Sequence, residues 1–197
     1  HDYGNDSLNV RYMVDTSVRL DLLNFEESAN ISAKSYSDSG RFLYKTDILY
    51  FLLSAGPKGQ MGNGGHAHND VFSFELNIKG RDIIVDPGTF CYTGDKKMRN
   101  SFRSIQNHNT LYWPDMEPCS LNNGLFHLAE EGKIKIISNL NIENVFSASY
   151  SYSGRSHIRR IFINKSNEEI IIEDSCSHPG SMIAINFAAE IIPFIKE

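Results

Sequence analysis

From Ser35 onward the chain is a succession of short β-branched and aromatic runs separated by turn residues, and this spacing constrains the fold more than any other feature. Arg41–Tyr44 and Ile48–Leu53 flank Lys45-Thr46-Asp47, a predicted hairpin. In Val71–Ile78, Phe72, Phe74, Leu76 and Ile78 share one face of an alternating run, and Lys79-Gly80-Arg81-Asp82 turns it into Ile83–Val85. Further strands are predicted at Ile134–Ile137, Val145–Tyr152, His157–Ile163, Ile170–Glu173 and Met182–Ala188. Many short strands at near-regular intervals predict an all-β fold, an antiparallel β-sandwich. Before them, Val10, Met13, Val14 and Leu20 approximate helical spacing and predict a short N-terminal helical segment between Leu8 and Leu23. The change in character near Ser35 divides the chain into a helical linker, 1–35, and a β domain, 36–197.

With 197 residues, 41% of them hydrophobic, the chain can bury one substantial core. A formal charge of -5 excludes the broad positive field that nucleic-acid or acidic-membrane binding needs, and no apolar run reaches membrane length. Lys96, Lys97, Arg99 and Arg103 lie within eight residues, so they form either a local basic patch or an ordinary solvated loop. Cys91, Cys119 and Cys176 are widely spaced and odd in number, which points to no particular redox compartment. The chain starts at His1 without an initiator methionine and is expected to be a piece of a longer protein.

The chemistry concentrates between Gly62 and Asn109, GNGGHAHNDVFSFELNIKGRDIIVDPGTFCYTGDKKMRNSFRSIQNHN. On extended backbone His66 and His68 project to the same side, where two imidazoles can meet one metal or one substrate. His66, His68, Asp86 and His108 are the candidate ligands, and imidazole with carboxylate suits Zn²⁺; hydrogen-bonded structural histidines are the competing reading. One geometric point weighs against Asp86. If Gly80 and Arg81 form a tight hairpin, Asp86 pairs near Glu75 and His68 lies ~24 Å along that strand, unless the segment carrying it curls back, as Gly62, Gly64 and Gly65 would permit. A cupin-like metal site is a weaker alternative, because the first glutamate after His68 is Glu75 and no later glycine-rich segment supplies a final histidine. Tyr150 and Tyr152 share a strand face and could stack on a sugar, but Ala148 ends that row and packing is the favoured role. His127, His157 and His178 are read as ordinary surface or strand residues.

The ordered set from GGHAH through VDPGT, YTGD and RNSFRS to HNT closely resembles the signature of the heparinase II/III-like polysaccharide lyases, in the β-sandwich domain that follows their catalytic α/α toroid. The resemblance extends back to SDSGRFLYKTDILYFLLSAGP and forward through YSGRSHIRRIFINKSNEEIIIED, roughly Ser37 to Asp174. It implies that His68, Asp86 and His108 bind a structural metal, usually zinc, and that His66 faces the cleft as the catalytic residue assisting proton transfer or holding the substrate carboxylate. Arg99 and Arg103 fall in the segment whose basic residues border the cleft and bind substrate. The catalytic tyrosine and its partners would lie in an upstream toroid, of which 1–35 is then a remnant. The implied reaction is β-elimination on an acidic, uronic-acid-containing polysaccharide, by a periplasmic or secreted bacterial protein, with the isolated chain inactive. A noncatalytic carbohydrate-binding or structural metal-binding sandwich is the alternative.

Overall fold

The computed structural model describes residues 7–14, 17–22, 32–129, 131–138, 145–164 and 169–189. Two antiparallel sheets enclose the core. The first runs, edge to edge, through β1 (Ser7–Val14), β13 (Ser181–Ala188), β7 (Arg81–Ile84), β6 (Phe74–Ile78), β5 (Leu49–Ser54), β4 (Arg41–Lys45) and β3 (Ser32–Tyr36), with the short β8 (Leu111–Tyr112) also paired to β13. The second runs through β2 (Ser17–Leu22), β12 (Glu169–Cys176), β11 (Arg155–Asn164), β10 (Val145–Tyr152) and β9 (Lys133–Ser138). The predicted sandwich is present, and the hairpin at Lys45-Thr46-Asp47 joins β4 to β5, with Thr46 Oγ1 accepting from the Leu49 amide at 3.0 Å.

Alternation explains which faces meet. Phe42 of β4 and Phe146 of β10 come from opposite sheets, both fully buried, with ring centroids 4.4 Å apart. Phe51 and Phe74 stack on adjacent strands of the first sheet, and Ile161, Ile172 and Ile183 complete the same cluster. Tyr150 belongs to this core, edge-on to Phe72, in keeping with a packing role. One charge crosses the core: Arg159 of β11 is fully buried, pairs with Asp174 of β12, and donates to the carbonyl oxygens of Phe72 and Asn109.

The helix expected between Leu8 and Leu23 is not there. Residues 7–14 and 17–22 are strands. β1 pairs with β13 from Ser7 opposite Ala188 to Val14 opposite Ser181, and β2 pairs with β12 from Ser17 opposite Ser175 to Leu22 opposite Ile170. Leu8, Val10, Tyr12 and Val14, then Val18, Leu20 and Leu22, repeat every second residue, a strand period that a selection of Val10, Met13, Val14 and Leu20 disguises as helical. β3 runs straight through the composition change near Ser35.

The one α-helix among the described residues is α1 (Lys96–Arg103). Asp95 caps it, its carboxylate accepting from the Lys97 and Met98 amides at 2.9 and 3.0 Å. Its inward face carries Arg99, Phe102 and Arg103. The four basic residues therefore split, Lys96 and Lys97 in solvent and both arginines inside, and make no shared patch. All three cysteines are free. No helix among the described residues is long and apolar enough to cross a membrane.

Candidate functional site

The glycine-rich segment reaches the sheet by doubling back. Just before β6, the Ser73 amide donates to the Asp70 carbonyl at 2.9 Å and Phe72 adopts a left-handed φ of 62°, so the chain reverses over Asp70–Ser73. His68 consequently lies off the line of β6, and the ~24 Å separation of an extended path does not arise. Its neighbours hold the reversal. The Asn69 amide donates to the Arg103 carbonyl at 2.9 Å, Asn69 Nδ2 donates to Glu117 Oε2 and to the Cys119 carbonyl, and Lys58 Nζ donates to the His68 carbonyl and pairs with Asp70 at 3.3 Å.

The other two candidates arrive from a strand end and from a 3-10 turn. Asp86 follows β7 and fixes its own turn, Oδ1 accepting from the Gly88 amide at 2.9 Å. His108 follows a single 3-10 turn, Ile105–Asn107, and next to it Asn109 is a buried splice: its Nδ2 donates to the carbonyls of Phe74 and Val85, and its Oδ1 accepts from the Asn186 amide of β13. Asn109 supplies hydrogen bonds where the β6–β7 ladder opens, which fixes the position of the preceding histidine.

His68, Asp86 and His108 each bring a ligand-type atom to within 4.8 Å of the others. His108 Nδ1 lies 2.7 Å from Asp86 Oδ2, and the two imidazole centroids are 5.2 Å apart. Burial disfavours the protonated form of His108, but the Asp86 carboxylate and its hydrogen bond outweigh that and raise the pKa. For Asp86, burial pushes the pKa up and His108 more than cancels it, leaving the carboxyl below its usual range. His68 is held neutral, its pKa lowered to about 4 by burial and then by His108. Its Nε2 accepts from Arg99 Nη1 at 3.1 Å, which leaves its proton on Nδ1. Two features fit a metal. A neutral imidazole is the ligating form, and His108 Nε2 is buried without a hydrogen-bond partner, an orphan that coordination would satisfy. A metal taking His68 Nε2 would have to displace the arginine N–H.

His66 stands apart from this trio. It is exposed, and lines a cavity of about 540 Å³ with His68, Asp70, Lys58 and Arg41. Its ring meets Tyr92 and Phe126 edge-on, each at 6.0 Å. Arg99 and Arg103 are both fully enclosed. Arg99 bonds Thr89 Oγ1 as well as His68, and Arg103 donates to Asn100 Oδ1 and to the carbonyls of Leu121, Gly124 and Leu125. Arg103 thus organises the 121–127 loop, where sequence reasoning expected it to border the cleft. Lys58, Asn69, Glu117 and Phe126 were invisible to that reasoning, since each is a single residue on irregular backbone with no period or motif, and Tyr92 was quoted in the YTGD motif without a role. His157 is buried, its Nε2 2.7 Å from Asp174 Oδ1, a strand residue as expected.

Residues 29–192 match a family model described as "Heparinase II/III-like, C-terminal". A heparin-sulfate lyase of Pedobacter heparinus is 29% identical over 147 residues, 71% of this chain and 20% of that protein. Another, of Bacteroides stercoris, is 24% identical over 162 residues, 79% of this chain and 22% of that protein. Among solved structures, heparinase III superposes with a TM-score of 0.55 at 19% identity, covering 80% of this chain and 24% of that one. A mutant heparan sulfate lyase HepC of Pedobacter heparinus gives 0.51 at 17% identity, covering 81% and 37%. These two likenesses establish a shared fold. The chain spans about a fifth of the length of the curated relatives it matches.

Proposed function

Since the chain belongs to the heparinase II/III-like C-terminal family, we propose that it is the β-sandwich part of a lyase that cleaves an acidic, uronic-acid-containing polysaccharide by β-elimination. The remaining catalytic groups sit on an upstream α/α toroid of the same protein, and the protein works in the periplasm or outside the cell. The two heparin-sulfate lyases make a heparan-type glycan the first substrate to test.

The observation that carries the reading is the placement of His66: an exposed imidazole at a cavity also lined by the cationic Arg41 and Lys58, on a loop whose next histidine is buttressed by Asp86 and His108. In the elimination a base removes the proton on C5, beside the carboxylate, the electron pair forms the C4=C5 bond, and the C4–O bond breaks with protonation of the leaving oxygen. The C5 proton is poorly acidic while the carboxylate keeps its full charge, so a positive or hydrogen-bonding group must meet that carboxylate. His66 is the residue this chain offers for that contact or for the proton itself. His68, Asp86 and His108 would hold a divalent ion, zinc by their donor set, which serves as a cross-link fixing the His66 loop. Arg99, between His68 and the aromatic rings, and Arg103, under the 121–127 loop, support substrate binding from beneath the surface.

The test is ultraviolet absorbance of the unsaturated uronate formed by the full-length protein on heparan sulfate, alginate and hyaluronan. His66→Ala should lower that rate by ~10²-fold or more, the usual contribution of a positioned proton-transfer group. The 197-residue chain alone should form no product. Cleavage at an unchanged rate after His66→Ala would remove this domain from the chemistry.

A further inference from the structure

Three segments distant in sequence bring aromatic rings to one place on the surface. Tyr92 and Phe126 lie with centroids 6.2 Å apart and planes only 18° apart, and His66 closes one side edge-on. Tyr92 is 51% exposed and Phe126 42%, so both present ring area to solvent. Beneath them Arg99 is 1% exposed, its guanidinium carbon 5.3 Å from the Tyr92 centroid and 6.0 Å from that of Phe126. Its Nε and Nη2 are buried without a hydrogen-bond partner, and among the described residues no carboxylate pairs with it.

We propose that Tyr92, Phe126 and His66 form a stacking subsite for an anionic pyranose unit of the glycan, with Arg99 as its cationic floor. The proposal rests on the lyase reading and adds residues and a charge preference to it. The C–H face of a pyranose packs on aromatic rings, and two nearly parallel, part-exposed rings offer it such a surface. A buried guanidinium with no counter-ion is unfavourable by itself. An occupant bearing carboxylate or sulfate relieves that imbalance, whereas a neutral one does not. The surface is also preformed, because Arg103 holds the carbonyls of Gly124 and Leu125 at 3.0 Å and so fixes the loop bearing Phe126. Contact with His66 puts this sugar beside the group assigned to the elimination.

The experiment measures initial rates of the full-length protein on size-defined heparan sulfate oligosaccharides. Tyr92→Ala and Phe126→Ala should each raise KM about tenfold while kcat stays within about twofold, the signature of lost uniform binding. Tyr92→Phe, which keeps the ring, should match the parent. Maltotetraose, a neutral oligosaccharide, should bind at least tenfold more weakly than a heparan sulfate tetrasaccharide. If Tyr92→Ala fails to fold, Tyr92→Leu, which keeps apolar volume but not the flat face, should show the same rise. Unchanged KM together with a lowered melting temperature would mean that the rest of the chain covers the patch, and would overturn the proposal. If the parent forms no unsaturated product from any uronate glycan, the lyase reading fails separately. Calorimetric binding of the same oligosaccharides then decides the subsite: a tenfold loss in Tyr92→Ala supports it and no loss overturns it.

Discussion

Replacing Arg159 by Met should destabilise this domain more than any change at the candidate site. The guanidinium is fully buried, with Nε 2.7 Å from Asp174 Oδ1 and Nη2 2.6 Å from Oδ2. Its Nη1 satisfies the Phe72 and Asn109 carbonyls, four residues beyond His68 and one beyond His108. Removing it strands a buried carboxylate beside His157, and breaking such a pair from one side costs about 3–5 kcal/mol. At roughly 2–4 °C per kcal/mol for a chain of this size, the melting temperature should fall by about 6–20 °C. The pH profile supplies a second reading. Burial pushes the Asp174 carboxyl up, but Arg159 and then His157 hold it well below the usual carboxylate range. A depressed folded pKa contributes stability that is present above the unfolded value, about 3.9, and is lost as pH falls toward the folded one. Urea unfolding should therefore show a steep loss of stability in the parent below about pH 4, and a shallower one in Arg159→Met. The double change Arg159→Met/Asp174→Leu should recover part of the loss, because removing both charges leaves none of that pair stranded. A single variant within about 1 kcal/mol of the parent, with the same pH slope, would show that this pair does not hold the sheets in register.

If His68, Asp86 and His108 bind zinc, His68→Ala should reduce metal content and melting temperature together, since native-state binding adds to folding energy, while His66→Ala should leave both near the parent; elemental analysis and calorimetry would expose a reversal of the two roles. Gly64→Ala places a Cβ 2.3 Å from the Leu128 carbonyl oxygen at a φ of 59°, so it should cost about 1–3 kcal/mol in urea unfolding, and a neutral result would mean the loop is free to move there. Asp70 has its pKa lowered to about 2, burial raising it and Lys58, His108 and His68 more than offsetting that. The associated stability, about 1–2 kcal/mol after allowing for the part-exposed carboxylate, is present above about pH 4 and lost as pH falls toward 2; Lys58→Met should flatten that part of the curve.

Most of the sandwich was legible because its strands carry their own alternation. Val145–Tyr152 coincides with β10, and β4, β5, β9 and β11–β13 fall within one to three residues of their predicted bounds. The first two strands were not, since Met13 beside Val14 breaks the alternation just where a helical stripe would also place apolar residues. The helix α1 was missed for the opposite reason: six of its eight side chains are polar or charged, all but Met98 and Phe102, and what it buries beside Phe102 are two arginines, a pattern that reads as a solvated loop until the cap at Asp95 is noticed. The histidines and Asp86 could be singled out by residue type, yet their meeting depends on a left-handed Phe72 and a reversal over four residues that no period announces. Arg159 was unreadable as an anchor because its partners Phe72 and Asn109 use backbone carbonyls, which carry no side-chain signature.

β1 and β2 are consecutive in the chain but join different sheets, each as the outermost strand. A version of this domain trimmed to residue 29, where the family match begins, would lose both. β13 would be stripped along eight register positions and β12 along six, leaving two long rows of unpaired amides and carbonyls. Rows of that kind are templates for whatever extended chain arrives next, including another copy of the same trimmed domain. Aggregation or strand exchange in a shortened form would then report on a missing clasp, and not on any fault in the core it once closed.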